Sequence, residues 1–205
     1  MTAREEILAR VSHAVAHSPQ PEVPRGYRQR GDLAHAQVVG RFIERVRDYR
    51  AAVVETNEAP LAVAEVLAAQ SAWRIGIPAD LDGRLRPTGV ELVEDEGLSP
   101  RQLDELDGAL TTCAAACAVT GTIALDGGPG QGRRALTLVP DLHVCIVGSE
   151  QIVETVPEFV RRLEPAATEG RPIVLVSGPS ATSDIELQRV EGVHGPRRLV
   201  VIIER

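Results

Sequence analysis

A run of small and hydroxylic residues in the C-terminal part of the chain is the strongest candidate for a ligand site. Residues 177–186 read Ser-Gly-Pro-Ser-Ala-Thr-Ser-Asp-Ile-Glu and directly follow the apolar residues 173–176. Ligands of open α/β sheets bind beyond the carboxyl ends of the strands, where the first turn of a helix presents free backbone N–H groups to an anion. The sequence therefore predicts that a phosphate or carboxylate is bound by Ser177, Gly178, Pro179, Ser180, Thr182 and Asp184. The spacing of Ser183 and Glu186 is also that of a capping box, which needs no ligand.

Two shorter features could contribute to the same crevice. The segment Thr120-Gly121-Thr122 could form a second wall, although a tight turn that requires glycine is the simpler interpretation. His143 opens a predicted strand, and His194 lies with Gly195 in a turn before the last predicted strand. Either histidine could act as a general acid or base or donate a hydrogen bond to an anionic ligand. A hydrogen-bonded structural role is the alternative for each.

The sequence carries no pattern typical of a bound metal or nucleotide cofactor. Its three cysteines, Cys113, Cys117 and Cys145, lack the compact runs of an iron–sulfur or structural zinc site. The glycine-rich loop 127–132 is not followed by the Gly-Lys-Ser/Thr of a Walker loop. Neither a dinucleotide-binding Gly-x-Gly-x-x-Gly nor a Gly-x-Ser-x-Gly elbow occurs at a strand-to-helix junction. We therefore expect neither a metal nor a cofactor.

The composition excludes several other classes of protein. The 205 residues are 43% hydrophobic but only 2% aromatic, so the core must be aliphatic, as in parallel strands covered by helices. The net charge of −7 argues against a nucleic-acid partner, which needs a basic face. No apolar run approaches the roughly 20 residues of a membrane span, and the charged residues 4–6 are unlike the start of a secretory signal. We expect a cytoplasmic protein without a membrane span.

The rest of the chain alternates between helical and strand periodicity and predicts an α/β fold. We expect an open, mostly parallel, doubly wound sheet with helices on both faces. Residues 1–31 are predicted to form an amphipathic helix and an extended, mobile, proline-rich linker, and residues 32–205 to form the α/β domain. Predicted helices cover residues 3–16, 34–50, 61–70, a segment from Ser99-Pro100, and 152–163, which Pro157 is expected to kink or split. Predicted strands cover 51–55, 73–77, 90–93, 123–125, 135–139, 142–147, 173–176 and 199–203, with 173–176 as the best candidate for a buried parallel strand.

Four segments of the C-terminal half occur in the order and spacing of a known family. They are Thr120–Leu125, Leu138–Val144, Ser177–Glu186 and Gly192–Pro196. By these segments together, the chain resembles the lactate-utilisation protein C group of the LUD domain family. The resemblance implies a fold like that of ribose-5-phosphate isomerase and the coenzyme A transferases. It also implies a role beside two partners, one of them an iron–sulfur protein, in the oxidation of L-lactate to pyruvate.

One position departs from the family pattern. The family commonly has a glutamate before Thr-Gly-Thr, where this chain has Val119. Coenzyme A transferases use a glutamate as nucleophile, and valine supports neither nucleophilic nor acid–base chemistry. The leading hypothesis is therefore an accessory, non-redox component of an L-lactate oxidation complex that retains an anion-binding crevice. The alternatives are an acyl- or phosphosugar-handling enzyme related to the coenzyme A transferases, and a sensor of a small ligand.

Overall fold

Ten β-strands form two sheets in the part of the chain that the computed structural model describes, residues 2–16, 22–179 and 195–205. The strands are β1 (Ala52–Thr56), β2 (Arg74–Ile77), β3 (Glu91–Glu94), β4 (Gly108–Thr111), β5 (Ala115–Cys117), β6 (Thr122–Leu125), β7 (Leu142–Gly148), β8 (Ile152–Val153), β9 (Val174–Val176) and β10 (Arg198–Glu204). The helices are α1 (Ala3–Val15), α2 (His35–Asp48), α3 (Ala59–Ala69), α4 (Pro100–Asp104), α5 (Arg134–Leu138) and α6 (Val156–Thr168). Within the same ranges, no helix is both long and apolar enough to cross a membrane.

The larger sheet is fully parallel and has helices on both faces. Its six strands follow the order β1-β10-β7-β4-β2-β3. Side chains alternate between the two faces along the central strand β10, because successive residues of a strand point to opposite sides. Val201 packs in one cluster with Phe42 of α2, whereas Ile202 packs in another cluster with Leu67 of α3. The predicted open, doubly wound sheet is confirmed.

The smaller sheet explains the run of alanine and cysteine residues around position 115. Its strands follow the order β8-β5-β6-β9, in which β6 is antiparallel to both of its neighbours. Ala115 and Cys117 of β5 pack against Phe159 and Leu163 of α6. Ala116, on the opposite face, belongs to the cluster that contains α2. Small side chains are needed on this strand because it is buried between two helices.

The predicted buried parallel strand at 173–176 is wrong. The strand β9 is antiparallel to β6 and forms an edge of the smaller sheet, and its Leu175 is 60% exposed. Val174 and Val176 pack against the core on one face only. Residues 173–176 are apolar on both faces of the strand. One face packs on the core and the other lines an open groove, so two covering helices are not the reason.

Two other predicted features are also wrong. Residues 135–139 were expected to be a strand, but Arg134–Leu138 form α5, in which Leu136 and the following Val139 pack against Leu103 and Leu106. Their spacing of three residues suits one face of a helix. Residues 152–163 were expected to form one helix that Pro157 kinks or splits, but Ile152–Val153 form β8 and α6 begins at Val156. Pro157 therefore lies in the first turn of α6, where a missing N–H costs nothing. The proline inside this helix is Pro165.

The end of the N-terminal linker is fixed to the domain by a buried carboxylate. The side chain of Glu154 is 4% exposed and accepts hydrogen bonds from Arg28 Nη2 at 2.6 Å and from the backbone N of Leu33 at 2.8 Å. The backbone hydrogen bond from Leu33 and the Arg28 guanidinium lower the pKa of Glu154, which keeps it charged. Gly31 donates to Glu158 nearby. These contacts hold Arg28, Gly31 and Leu33 to the domain, so the mobility that the sequence predicts does not extend to this end of the linker.

Replacing Glu154 with glutamine should release this part of the linker. The amide group would present a donor to Arg28 or Leu33, and the loss of hydrogen bonds to a charged group should lower the free energy of unfolding by about 2 kcal/mol. Limited trypsin digestion should then cleave at Arg28 and Arg30 faster than in the parent protein. The control is Glu105→Gln, which removes only an exposed ion pair with Arg101 and should have little effect. Equal cleavage rates in both variants would show that Glu154 does not hold the linker.

Candidate functional site

The predicted Ser-Gly-Pro loop lies at the amino-terminal edge of the larger sheet. Because β9 runs antiparallel to β6, Ser177 emerges beside the start of β6, where its hydroxyl oxygen is 2.7 Å from Thr122 Oγ1. Gly178 packs against Tyr49, the residue that follows α2 and precedes β1. Among the predicted ligand-binding residues, the structure brings together Thr122, Ser177, Gly178, Pro179 and Gly195. Ser180, Thr182, Asp184 and His194 lie outside the described residues.

The Thr-Gly-Thr segment forms the tight turn between β5 and β6. Gly121 has a φ of +62°. A Cβ atom at this position would lie 2.8 Å from the backbone carbonyl carbon of Arg45 in α2. The glycine is therefore required both by the backbone conformation and by the close approach of the turn to α2. Thr120 lies next to this turn and lines an apolar groove between α6 and β9.

His143 is buried within the larger sheet and does not face solvent. It is 2% exposed, and its Nε2 is 2.9 Å from Thr111 Oγ1 on the neighbouring strand β4. Burial lowers the pKa of His143 to about 4. The imidazole is therefore neutral at neutral pH and gives no charge to an anion. The structure supports the alternative interpretation, a hydrogen-bonded structural histidine.

A polar crevice lies at the opposite edge of the larger sheet. Its volume is about 540 Å³, and Thr112, Gly148 and Glu204, at the carboxyl ends of β4, β7 and β10, line it. Asp126 and Glu150, which follow β6 and β7, complete its polar wall. Open α/β sheets bind their ligands at this edge. We call this cavity the carboxyl-edge crevice and regard it as the second candidate site.

The carboxylate of Asp126 fixes the glycine-rich loop at one side of the crevice. Its Oδ1 accepts hydrogen bonds from Gly128 N at 2.9 Å and from Gln131 Nε2 at 2.8 Å. Its Oδ2 is 2.9 Å from Arg171 Nη1. Gln131 Oε1 in turn accepts a hydrogen bond from Asp126 N at 2.6 Å. With both oxygens engaged, Asp126 positions the loop rather than reacting with a ligand.

Two charged side chains in the crevice remain exposed to solvent. Glu150, which follows β7, and Arg162 of α6 both line the crevice, and both are exposed. The carboxyl group of Glu150 folds back over the Cα of Gly148 and occupies the space that a side chain at position 148 would need. An exposed carboxylate could serve as a general base or a nucleophile, and an exposed guanidinium could bind a carboxylate or phosphate.

The thiol that lines the crevice is not a suitable nucleophile. Cys113 is buried, and its Sγ lies 3.6 Å from Gln151 Oε1. A hydrogen bond with Cys145, together with burial, raises the pKa of the Cys113 thiol well above its usual range. The protonated thiol reacts poorly, since the thiolate is the nucleophile and the metal ligand. In residues 2–16, 22–179 and 195–205, no cluster of three or more His, Cys, Asp or Glu side chains could hold a metal ion.

The sequence also carries a signal for the carboxyl-edge crevice. The apolar residues 173–176 indicate the amino edge instead, because β9 runs against the direction of β6. Asp126 and Glu150 instead follow the predicted strands 123–125 and 142–147 almost directly. Carboxylates placed just after two apolar strands would have indicated the carboxyl edge, had the parallel strands been distinguished from the antiparallel ones.

Comparisons with known proteins agree with this architecture. The LUD domain family model matches residues 91–203. The lactate utilization protein C of Deinococcus radiodurans is 45% identical over 202 residues, which cover 98% of this chain and 95% of that protein. An uncharacterized protein of Neisseria meningitidis serogroup B is 28% identical over 224 residues, which cover 98% of this chain and 93% of that protein.

A solved structure shows the same fold. The crystal structure of a DUF162 family protein from Deinococcus radiodurans superposes with a TM-score of 0.75 and 39% sequence identity. The match covers 85% of this chain and 100% of that chain. The larger parallel sheet and its helices are therefore shared with a protein whose structure was determined by experiment.

Proposed function

The chain belongs to the LUD domain family, and we propose that it is a non-redox accessory subunit of an L-lactate oxidation complex. The observation that carries the proposal is the 45% identity, over 98% of the chain, to a protein named lactate utilization protein C. Identity at this level across both chains supports a role in lactate utilisation for this protein as well. The proposed partners are iron–sulfur proteins.

The cysteine chemistry of the chain supports assigning electron transfer to the partners. Oxidation of L-lactate to pyruvate releases two electrons and two protons, which an acceptor must take up. An iron–sulfur cluster usually needs four thiolate ligands, and this chain has three cysteines. All three are buried, and the pKa of Cys113 is raised, so its thiol is held protonated. These residues do not fit a cluster, and the electrons would pass to a partner that holds one.

The accessory role would include binding of a small anion at the amino edge. Support comes from the paired hydroxyls of Thr122 and Ser177, which lie together at this edge of the sheet. Gly178→Val would be a poor test, because a Cβ at this position would lie 3.0 Å from Tyr49 Cβ at a φ of +139°. Ser177→Ala is the better variant. It should weaken the NMR shifts caused by inorganic phosphate, and Thr168→Ala, at the end of α6, should not.

One observation favours the alternative of an acyl-transferring enzyme. The exposed carboxylate of Glu150 lies in the crevice where related folds bind ligands. Position 119, where the family commonly has its glutamate, is Val119, whose backbone N donates a hydrogen bond to the carbonyl oxygen of Glu154, the residue after β8. The purified chain can be assayed for turnover of a coenzyme A thioester. Activity that is lost in Glu150→Gln would replace the accessory role by an enzymatic one.

Deletion of the gene in its host tests the accessory role directly. Growth on L-lactate should be lost and growth on pyruvate retained, because only the step between the two compounds needs the complex. A plasmid copy should restore growth, whereas the purified chain alone should not reduce an artificial electron acceptor with L-lactate. Normal growth of the deletion strain on L-lactate would refute the proposed function.

A further inference from the structure

An apolar groove lies on the outer face of the smaller sheet, and Thr122 of the amino-edge site is among the residues that line it. Its volume is about 620 Å³, and Val156, Val160 and Leu163 of α6 line one side, with Leu175 of β9 on the other. Val160 is 56% exposed and Leu175 is 60% exposed. Exposed aliphatic side chains that face one another across a groove are typical of a surface that binds a partner. We call this surface the α6–β9 groove.

The groove is open because α6 covers only half of the smaller sheet. Phe159 and Leu163 pack on Ala115 and Cys117 of β5, near the middle of the sheet. The outer strand β9 pairs only with β6 among the strands of residues 2–16, 22–179 and 195–205, and the side chain of its Leu175 is exposed. A helix laid parallel or antiparallel to α6 would fill this space.

The helix α1 carries an exposed apolar stripe, which is what an apolar groove would bind. Its apolar side chains Ile7, Leu8, Val11 and Val15 are between 53% and 60% exposed, and no residue of α1 is buried. The N-terminus of α1 is capped, because Thr2 and Glu5 form a reciprocal capping box. Isolated helices of 13 residues are only marginally stable in water, and packing of the apolar face normally supplies the missing stability.

We infer that α1 of one copy of this chain docks in the α6–β9 groove of a second copy, so that two chains exchange their N-terminal helices. The linker leaves the domain beside the groove, since Arg161 of α6 donates hydrogen bonds to the backbone and side-chain oxygens of Gln29. Residues 16–28 could extend roughly 40 Å, enough to reach a neighbouring molecule. The same length would reach the chain's own groove, yet α1 is exposed along its whole length.

The side chains on the two surfaces match in an antiparallel arrangement. On α6 the order along the groove is Val156, Val160 and Glu164, at steps of four residues. On α1, Arg4 and Leu8 have the same four-residue step. When Leu8 lies opposite Val160 in an antiparallel pair, Arg4 lies opposite Glu164, and the charged ends attract each other.

The area of the proposed contact is sufficient for a stable dimer. A 13-residue helix is about 20 Å long and about 10 Å wide, so one helix docked over half of its circumference should bury about 600 Å² counted over both surfaces. Reciprocal exchange forms two such contacts, which gives about 1,200 Å² in total, the lower end of the size range of specific protein interfaces. A single contact would fall below that size, which favours the two-fold exchange over one-sided binding.

Light scattering after size exclusion, combined with matched variants, tests the exchange. The parent chain should elute with twice its monomer mass of 22.0 kDa. Leu8→Asp on α1 and Val160→Asp in the groove should each raise the dimer dissociation constant by about 100-fold or more, giving monomers. Leu61→Asp, which alters a similarly exposed side chain on α3, should leave the dimer intact. Leu175→Asp provides a second groove variant, and circular dichroism should verify that each variant is folded.

Mixing the two monomeric variants distinguishes exchange from other modes of association. The Leu8→Asp chain keeps an intact groove and the Val160→Asp chain keeps an intact α1, so their mixture should form a heterodimer through one contact, weaker than the parent dimer but stronger than the self-association of either variant. A monomeric parent chain would overturn the proposal. In that case, slow hydrogen exchange in α1 would show that the helix docks in the groove of its own chain. Fast exchange would show that α1 is undocked and would indicate a different protein as its partner. Dimers that persist in both variants would also overturn it.

Discussion

Replacing Gly121 with alanine is expected to lower the free energy of unfolding by about 3 kcal/mol. The residue has a φ of +62°, and a left-handed conformation costs a residue with a Cβ about 1 kcal/mol. The new methyl group would also lie 2.8 Å from backbone and side-chain atoms of Arg45, and overpacking of this kind costs 1–3 kcal/mol more. Urea denaturation followed by circular dichroism measures the change. Circular dichroism is preferable to fluorescence, since the single tryptophan, Trp73, is 62% exposed.

Gly170 provides a control that separates the conformational cost from the contact. It has a φ of +70° at the end of α6, and a Cβ there would meet no atom within 4 Å. Gly170→Ala should therefore cost only about 1 kcal/mol, the penalty of the backbone conformation alone. If the two variants lose equal stability, the turn between β5 and β6 is not held tightly against α2.

The stability of the protein is expected to fall steeply below pH 6.5 because of His143. The pKa of the buried imidazole is lowered from 6.5 to about 4 by the loss of solvation. Between these two values the unfolded chain binds a proton at this residue and the folded chain does not. The free energy of unfolding therefore decreases as the pH falls through this window, by about 3 kcal/mol for this group by pH 4.

The variant His143→Gln isolates this contribution from the titration of carboxylates. Glutamine can place a polar nitrogen near Thr111 Oγ1, where His143 Nε2 lies at 2.9 Å, but takes up no proton. The variant should be less stable at pH 7.5 yet lose less stability between pH 6.5 and pH 4 than the parent. An NMR titration of the parent imidazole gives a second measurement, with a midpoint expected near pH 4. A midpoint near pH 6.5 would contradict burial of this side chain.

The local periodicity of the sequence was sufficient for most helices and central strands. The helix predicted over residues 34–50 is α2, and its apolar stripe is buried, namely Val38, Val39, Phe42, Ile43 and Val46. The strands β7 and β10 also agree with the predicted apolar runs 142–147 and 199–203. These elements could be predicted because a long stripe or run of aliphatic side chains has one low-energy arrangement, with that face turned to the core. The low aromatic content indicated an aliphatic core and so predicted the parallel sheet.

Short apolar segments were less informative, because several structures bury them equally well. Residues 135–139 are apolar enough for a strand, but their neighbours in space, Leu103 and Leu106, favour a helix that presents Leu136. Residues 173–176 are apolar enough for the centre of a sheet, but β6 is the only strand that pairs with them in the described part of the chain. The choice depends on contacts between residues that are distant in the sequence.

The features of the candidate sites also fall into those that the sequence determined and those that only the tertiary structure decided. The sequence by itself determined the family, the open parallel sheet and the need for glycine at position 121, because each rests on residue types in a local order. Only the tertiary structure decided that Ser177 lies at the amino edge beside Thr122, that His143 is buried and neutral, and that Glu150 and Arg162 share the carboxyl-edge crevice. The physical reason is strand direction. A strand's direction fixes which edge its end reaches, and it is set by hydrogen bonding to neighbouring strands, which the residues of the strand do not encode on their own.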